Sequence, residues 1–303
     1  MSKLFSSSTK LRTRASKKLF QLSKQIYQLS GLADSNKKTV VFIVGCQRSG
    51  TTITGRVLGR DWQAKSYGEF SELTSQGTKQ SIRLKPLPDV QAVIEKDKAR
   101  IVVIKPLVES QNVDKLLAFF PRSKALWVYR HYEDVVQSSI KKFGPEVGIR
   151  DLRPIVEDDI RNWRAERVPE SIREIVRTHF SELMEPYDAA ALFWFVRNSL
   201  YFELNPAAQR DILLCKYEHL ALYPGQAVRR IYNFLDHPFP GDRIVSNIHA
   251  HSVGKGQDTV LSPEVERLCS TLWAKLEQVY QSQAPHALDE SRRSYAQQGP
   301  NLC

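Results

Sequence analysis

A chain of 303 residues that is 42% hydrophobic and 25% charged has the composition of a globular protein with room for one large domain or two small ones, which excludes disorder throughout. The formal net charge of +11 would suit a nucleic-acid binder, but residues 1–38 hold nine Lys/Arg and one Asp, leaving +3 for the other 265 residues. The body is therefore not a basic surface of that kind, and no nucleic-acid partner is expected.

Cys46, Cys215, Cys269 and Cys303 are scattered without CxxC pairing, which argues against a zinc site or a disulfide framework and fits a reducing compartment. No apolar run approaches the ~18 residues of a membrane span, and the N-terminus lacks the apolar centre of a signal peptide. A cytoplasmic protein is expected.

The leader, residues 1–38, is basic, Ser-rich and nearly free of acids, with Leu19, Leu22, Ile26 and Leu29 at helical spacing. The leading expectation is a partly ordered arm whose apolar stripe packs on its own domain. An amphipathic helix lying peripherally on an anionic membrane or on a partner is a second reading, and an organellar transit peptide a third.

From residue 39 strand and helix patterns alternate. Continuous apolar, β-branched runs at 39–44, 100–107 and 124–130 read as buried parallel strands. Helical periods fall at about 50–60, 111–119 and 132–142. The second half reads as helices at roughly 154–180, 188–203, 225–235 and 263–282, with one short strand at 211–218. The expected fold class is α/β: one three-layer, P-loop-like domain over 39–290 with a central parallel sheet and helical insertions, followed by a tail at 291–303.

The run VVFIVGCQRSGTTITG at 41–56 carries the clearest chemistry. A strand ending at Val44, a Gly-rich turn and a helix beginning near Gly50 gather backbone N–H groups and a helix N-terminus around one concavity, which is an anion site. The spacing nearly matches a triphosphate-binding loop, but Thr51 stands where that loop needs its lysine. The cation is instead Arg48, so the loop suits a phosphate group held by hydroxyls and one guanidinium without an obligatory metal. Further on, Arg130 follows the strand ending at Tyr129, where open α/β sheets bind ligands. Ser138 lies eight residues later on the next helix and can complete a second phosphate clamp. His249 and His251 alternate as metal ligands would, but lack an acid or Cys partner at suitable spacing.

These two segments resemble the sulfotransferases that use 3′-phosphoadenosine 5′-phosphosulfate (PAPS). Gln47, Arg48, Ser49, Gly50, Thr51 and Thr52 look like that family's 5′-phosphosulfate loop, and Arg130 with Ser138 look like its 3′-phosphate motif. Lesser matches, at 104–107, 212–220 and 227–239, extend the resemblance over about residues 40–282. The resemblance implies PAPS as sulfuryl donor, no metal, and a hydroxyl-bearing acceptor. It also implies that Arg48 and Lys105 neutralise the leaving and transferring oxygens, that Tyr217 approaches the adenine, and that Lys255, in a Gly-Lys segment, reaches the 3′-phosphate.

A base must take the acceptor proton. The small-molecule branch of the family uses a histidine two residues after the strand-end lysine, where this chain has Leu107. Branches acting on glycans, lipids or peptides use a glutamate after the second strand, and Glu69, 19 residues past Gly50, matches that position, with Glu72 as the fallback. This tilts the expected acceptor toward a carbohydrate or glycolipid, in a pocket built from 70–100 and 143–200 with Trp163, Trp194, Tyr187 and Asn198 as candidate walls. The competing readings are a P-loop nucleotide kinase or NTPase, and a non-catalytic membrane-associated scaffold.

Overall fold

A computed structural model describes residues 19–30, 38–75, 82–204 and 206–283. The predicted tail at 291–303, and the leader outside 19–30 and Lys38, lie outside the described residues. Five strands, β1 (Thr39–Gly45), β2 (Ala64–Tyr67), β3 (Ile101–Ile104), β4 (Lys124–Tyr129) and β5 (Ile212–Lys216), form one sheet in the order β2-β3-β1-β4-β5, with every pairing parallel. The helices are α1 (19–29), α2 (Thr51–Leu58), α3 (Leu87–Glu95), α4 (Val113–Phe119), α5 (Tyr132–Phe143), α6 (Val147–Val156), α7 (Glu170–His179), α8 (Pro186–Ser199), α9 (Pro206–Gln209), α10 (Tyr217–Leu222), α11 (Pro224–Phe234) and α12 (Pro263–Ser282).

Why the strand runs are continuously apolar is plain from β1, which is buried on both faces. Val40, Phe42 and Val44 pack toward α5, α6, α8 and α12, while Val41 and Ile43 pack toward α2, α10 and α11. Alternate side chains of a pleated strand point to opposite faces, so a central strand covered by helices on both sides needs apolar residues at every position. The three-layer α/β class expected from the sequence is the one observed.

Two of the expected elements are redrawn. The helix expected at about 154–180 is two helices, α6 and α7, because the connecting stretch holds Asp158 and Arg167 at φ 55° and 56°, a left-handed conformation that no α-helix continues through, and Pro169 then caps α7. The leader helix is turned over relative to the leading expectation. Lys24 and Gln28 face the domain, donating to the carbonyl oxygens of Gly59 (2.6 Å) and Trp62 (2.8 Å), while Leu19, Leu22, Ile26 and Leu29 face away from it. Its hold on the domain therefore comes from hydrogen bonds and from Phe20 and Tyr27, which meet the Trp62 ring edge-on.

Candidate active site

The carboxyl ends of β1, β2, β3 and β4 lie side by side, as a parallel register requires, and each delivers one piece of the site. β1 runs into the loop 45–50 and then α2. Gly50 caps α2 at φ 100°, and a Cβ there would stand 2.3 Å from the Tyr217 ring, so backbone conformation and packing both require glycine. Arg48 also has positive φ, 66°, and its side chain is exposed at the loop tip. Its Nε donates to Ser138 Oγ at 3.0 Å. The residue from the first loop and the residue eight places beyond Arg130 are thus joined across 90 positions of sequence.

Ser49 and Thr51 are buried within the loop, Thr52 is exposed and Gln47 is half-buried. The Ser49 hydroxyl oxygen finds no hydrogen-bond partner among the described residues. A buried hydroxyl left unpaired costs about 1–3 kcal/mol, and an anion seated in the loop supplies the missing acceptor. Cys46, just before the loop, is buried, and desolvation pushes its thiol up to about 12, which removes it as a nucleophile at neutral pH.

β4 delivers Arg130, only 5% exposed. Its guanidinium lies over the Tyr217 ring, 4.5 Å from the centroid, pairs with Asp134 at 3.1 Å and donates to the Ser252 carbonyl. The Arg130 Nε, also buried, has no partner among the described residues. Asp134 in turn accepts from the backbone amides of Gly254 (3.0 Å) and Gly256 (2.8 Å). Gly256 sits so close to α5 that a Cβ would fall 2.3 Å from the Glu133 carbonyl carbon. The segment 252–256 is therefore held down over Arg130, with exposed Lys255 between its two anchored amides. Tyr217, its hydroxyl hydrogen-bonded to Ser252 Oγ, forms the wall between Arg130 and Gly50.

β2 and β3 deliver the polar pair. Lys105 follows β3, and its Nζ donates to Thr52 Oγ1 at 2.9 Å and to the Glu69 carboxylate. Glu69 lies two residues past β2, and its side chain is 25% exposed. Lys105 thus ties the first loop to the glutamate. Glu72 is exposed and does not line the adjoining cleft, whereas Gln47, Glu69 and Lys105 do.

That cleft has a volume of about 430 Å³ and continues from Glu69 between Phe70, Phe143, Arg150, Asp151, Asn162 and Trp163. Arg164 stacks on the Trp163 ring at 4.5 Å and its Nε donates to Asp151 at 2.7 Å. Desolvation raises the Asp151 carboxyl above its ordinary value, with Arg164 opposing that rise. Of the four expected wall residues only Trp163 lines the cleft; the other three are elsewhere. Asn198 is wholly buried, accepting from Trp127 Nε1 (3.4 Å) and donating to the Trp194 carbonyl (3.0 Å). Trp194 is also wholly buried and donates to the Arg130 carbonyl at 3.0 Å. Both belong to the hydrophobic core because α8 is buried around almost its whole circumference, and Tyr187 packs against the same core.

Sequence reasoning missed Asp134, Ser252 and the cleft residues Asp151, Asn162 and Arg164. Asp134 had a local signal, since it stands four residues after Arg130 at the start of a helix, the spacing at which opposite charges meet. The others were less legible: Ser252 meets Arg130 across 122 positions, Asn162 and Arg164 lie in the irregular stretch between α6 and α7, and Asp151 on α6 is one acid among several until Arg164 folds back onto it.

Two adjacent cradles, one at the N-terminus of α2 and one around the buried Arg130, each hold a buried polar atom without a partner among the described residues. The matching family model is the sulfotransferase domain, over residues 38–259, and the chain belongs to that family; sulfuryl transfer is the reaction its domain supports. Among solved structures the chain is similar to three sulfotransferases. The first, a domain from the curacin biosynthetic pathway, is 17% identical, with 78% of this chain and 97% of that one covered and a TM-score of 0.46. The second, a domain from the Synechococcus PCC 7002 olefin synthase, is 15% identical, with 78% and 95% covered and a TM-score of 0.48. The third, a sulfotransferase from Alicyclobacillus acidocaldarius, is 16% identical, with 80% and 95% covered and a TM-score of 0.47. No match is found among the curated proteins.

Proposed function

We propose that this protein transfers a sulfuryl group from PAPS to a hydroxyl of a carbohydrate or glycolipid by in-line attack, with Glu69 as general base. The observation that carries the reading is that Ser49 Oγ and Arg130 Nε, buried in neighbouring cradles, both lack a hydrogen-bond partner among the described residues, while the Arg48–Ser138 hydrogen bond joins the two cradles. A single ligand bearing a 5′-phosphosulfate and a 3′-phosphate satisfies both.

The donor, when bound, supplies an activated sulfuryl group and a phosphate that leaves with the electron pair. Gln47, Arg48, Ser49, Gly50, Thr51 and Thr52 would hold the 5′ end through the free backbone N–H groups at the start of α2, the Ser49 and Thr hydroxyls and the Arg48 guanidinium. Arg130, Ser138 and Lys255 would hold the 3′-phosphate, with Tyr217 against the nucleoside. No metal is required by this set, since the negative charge is met by Arg48, Lys105 and Arg130.

Lys105 has two roles available. Paired to Glu69, it holds that carboxylate at the edge of the cleft. Turned toward developing charge on the transferring oxygens, it would stabilise them, as preorganised cations do in phosphoryl transfer. Glu69 stands at the mouth of the cleft, so an acceptor hydroxyl entering there is within reach of a base that takes its proton. The cleft, with Trp163 and Phe70 beside Asp151, Asn162 and Arg150, joins aromatic faces to hydrogen-bonding groups, the mixture that a sugar ring needs on its apolar and hydroxyl sides.

The test is binding followed by transfer. Adenosine 3′,5′-bisphosphate should raise the melting temperature without magnesium and Mg-ATP should not; stabilisation by Mg-ATP alone would establish the kinase or NTPase reading instead. With labelled donor, label should pass to polar glycan or glycolipid fractions. Transfer to small phenols alone would refute the acceptor class and leave the donor assignment standing.

A further inference from the structure

The turned-over leader helix exposes a surface that the proposed reaction does not use. At ~100° per residue, Leu19, Leu22, Ile26 and Leu29 fall within an arc of about 80°, and Lys24 and Gln28 fall on the opposite side. The four stripe residues are 67%, 56%, 68% and 71% exposed. Lys24 is buried and its ammonium pKa is lowered to about 8 by desolvation, with Asp61 opposing. The helix therefore gives its single cation to the domain and its leucines to the solvent, the reverse of what water alone would select.

Three features say what covers the stripe. Six Lys/Arg and no acid precede it within residues 1–18, so the adjoining chain attracts a negatively charged surface. Trp62, half-exposed, stands beside the helix with Phe20 and Tyr27 against its ring, and an exposed Trp beside such a helix is the residue type that settles at the headgroup level of a bilayer. Over the described residues the helix spans 11 positions, a face of roughly 16 Å by 10 Å, well short of the ~800 Å² per partner of a stable protein interface. It is long enough to lie in a membrane surface with one face among the acyl chains.

We propose that α1 docks this protein peripherally on anionic phospholipid, with Leu19, Leu22, Ile26 and Leu29 inserted, while Lys24 and Gln28 keep the domain fixed to the docked helix. The proposal does not depend on the identity of donor or acceptor. It places the domain on the membrane through a short helix rather than a loose tether, since the helix is hydrogen-bonded to Gly59 and Trp62 at the end of α2.

The experiment is co-sedimentation of the full chain with vesicles of phosphatidylcholine alone or mixed with phosphatidylserine. The chain should bind the mixed vesicles at least roughly tenfold more tightly than the neutral ones, because an anionic surface attracts the nearby cations. The double variant L22D/I26D should lose at least about tenfold on the mixed vesicles, since two apolar side chains no longer leave water on insertion. Its folding is checked by an unchanged melting temperature and unchanged stabilisation by adenosine 3′,5′-bisphosphate. Equal vesicle binding by the variant and the parent chain would overturn the proposal, as would absence of binding by the parent. A concentration-dependent dimer that L22D/I26D converts to monomer would assign the stripe to a second copy and overturn it equally.

Discussion

Replacing Arg130 by alanine separates holding the fold from holding the ligand. The guanidinium is buried between the Tyr217 ring, the Ser252 carbonyl and Asp134, so its removal leaves a carboxylate that is itself buried. Breaking a buried ion pair from one side typically costs about 3–5 kcal/mol. Asp134 keeps its bonds from the Gly254 and Gly256 amides, so the lower part of that range or less, about 2 kcal/mol, is expected. For a domain of this size that corresponds to a melting temperature lower by about 4–8 °C. A charge-assisted contact to a phosphate contributes roughly 1.5–3 kcal/mol, so affinity for adenosine 3′,5′-bisphosphate should fall about 30-fold. Asp134→Asn keeps the guanidinium while removing the pair, and should lower the melting temperature with affinity reduced by only about threefold or less. Calorimetric titration without magnesium, beside thermal melting, reads both. Unchanged affinity in Arg130→Ala would make Arg130 purely structural. An equal loss in Asp134→Asn would assign the ligand's hold to the 252–256 segment instead.

Glu69→Gln should retain bisphosphate binding and lose turnover by a factor on the order of 100 or more, with Glu72→Gln near parental activity; the reverse ranking in a labelled-donor assay would move the base to Glu72. Lys24 should titrate near 8 instead of its ordinary 10.5. With α1 packed on the domain its proton leaves first, so between about pH 8 and 10.5 a detached α1 binds more protons, and the packing of α1 on the domain strengthens as pH rises through that window. The burial penalty on the charged ammonium is fully present below about pH 8 and gone above about 10.5, a span of roughly 3 kcal/mol. Carbon NMR of the Lys24 ε position would show it, and an ordinary titration point near 10.5 would refute the buried placement.

The sheet and the first loop were legible because their information is local. A strand covered on both sides must be apolar at every position, so β1, β3 and β4 announced themselves as continuous runs, and the Gly-rich stretch ending at Gly50 announced a turn into α2. Arg130 was readable for the same reason, as a residue at the end of such a run. The break between α6 and α7 was not legible, since nothing in the composition of Asp158 or Arg167 demands positive φ.

What only the tertiary structure decided is which long-range partners meet. Arg48 and Ser138, 90 residues apart, and Lys105 with Glu69 and Thr52 are joined by the parallel order of the sheet, which sets the carboxyl ends of β1 to β4 side by side. The orientation of α1 belongs to the same category. Its sequence contains an apolar stripe either way, but periodicity records only that a face exists. Which face turns to the domain depends on whether the surface it meets offers apolar area or, as at Gly59 and Trp62, unsatisfied carbonyl oxygens.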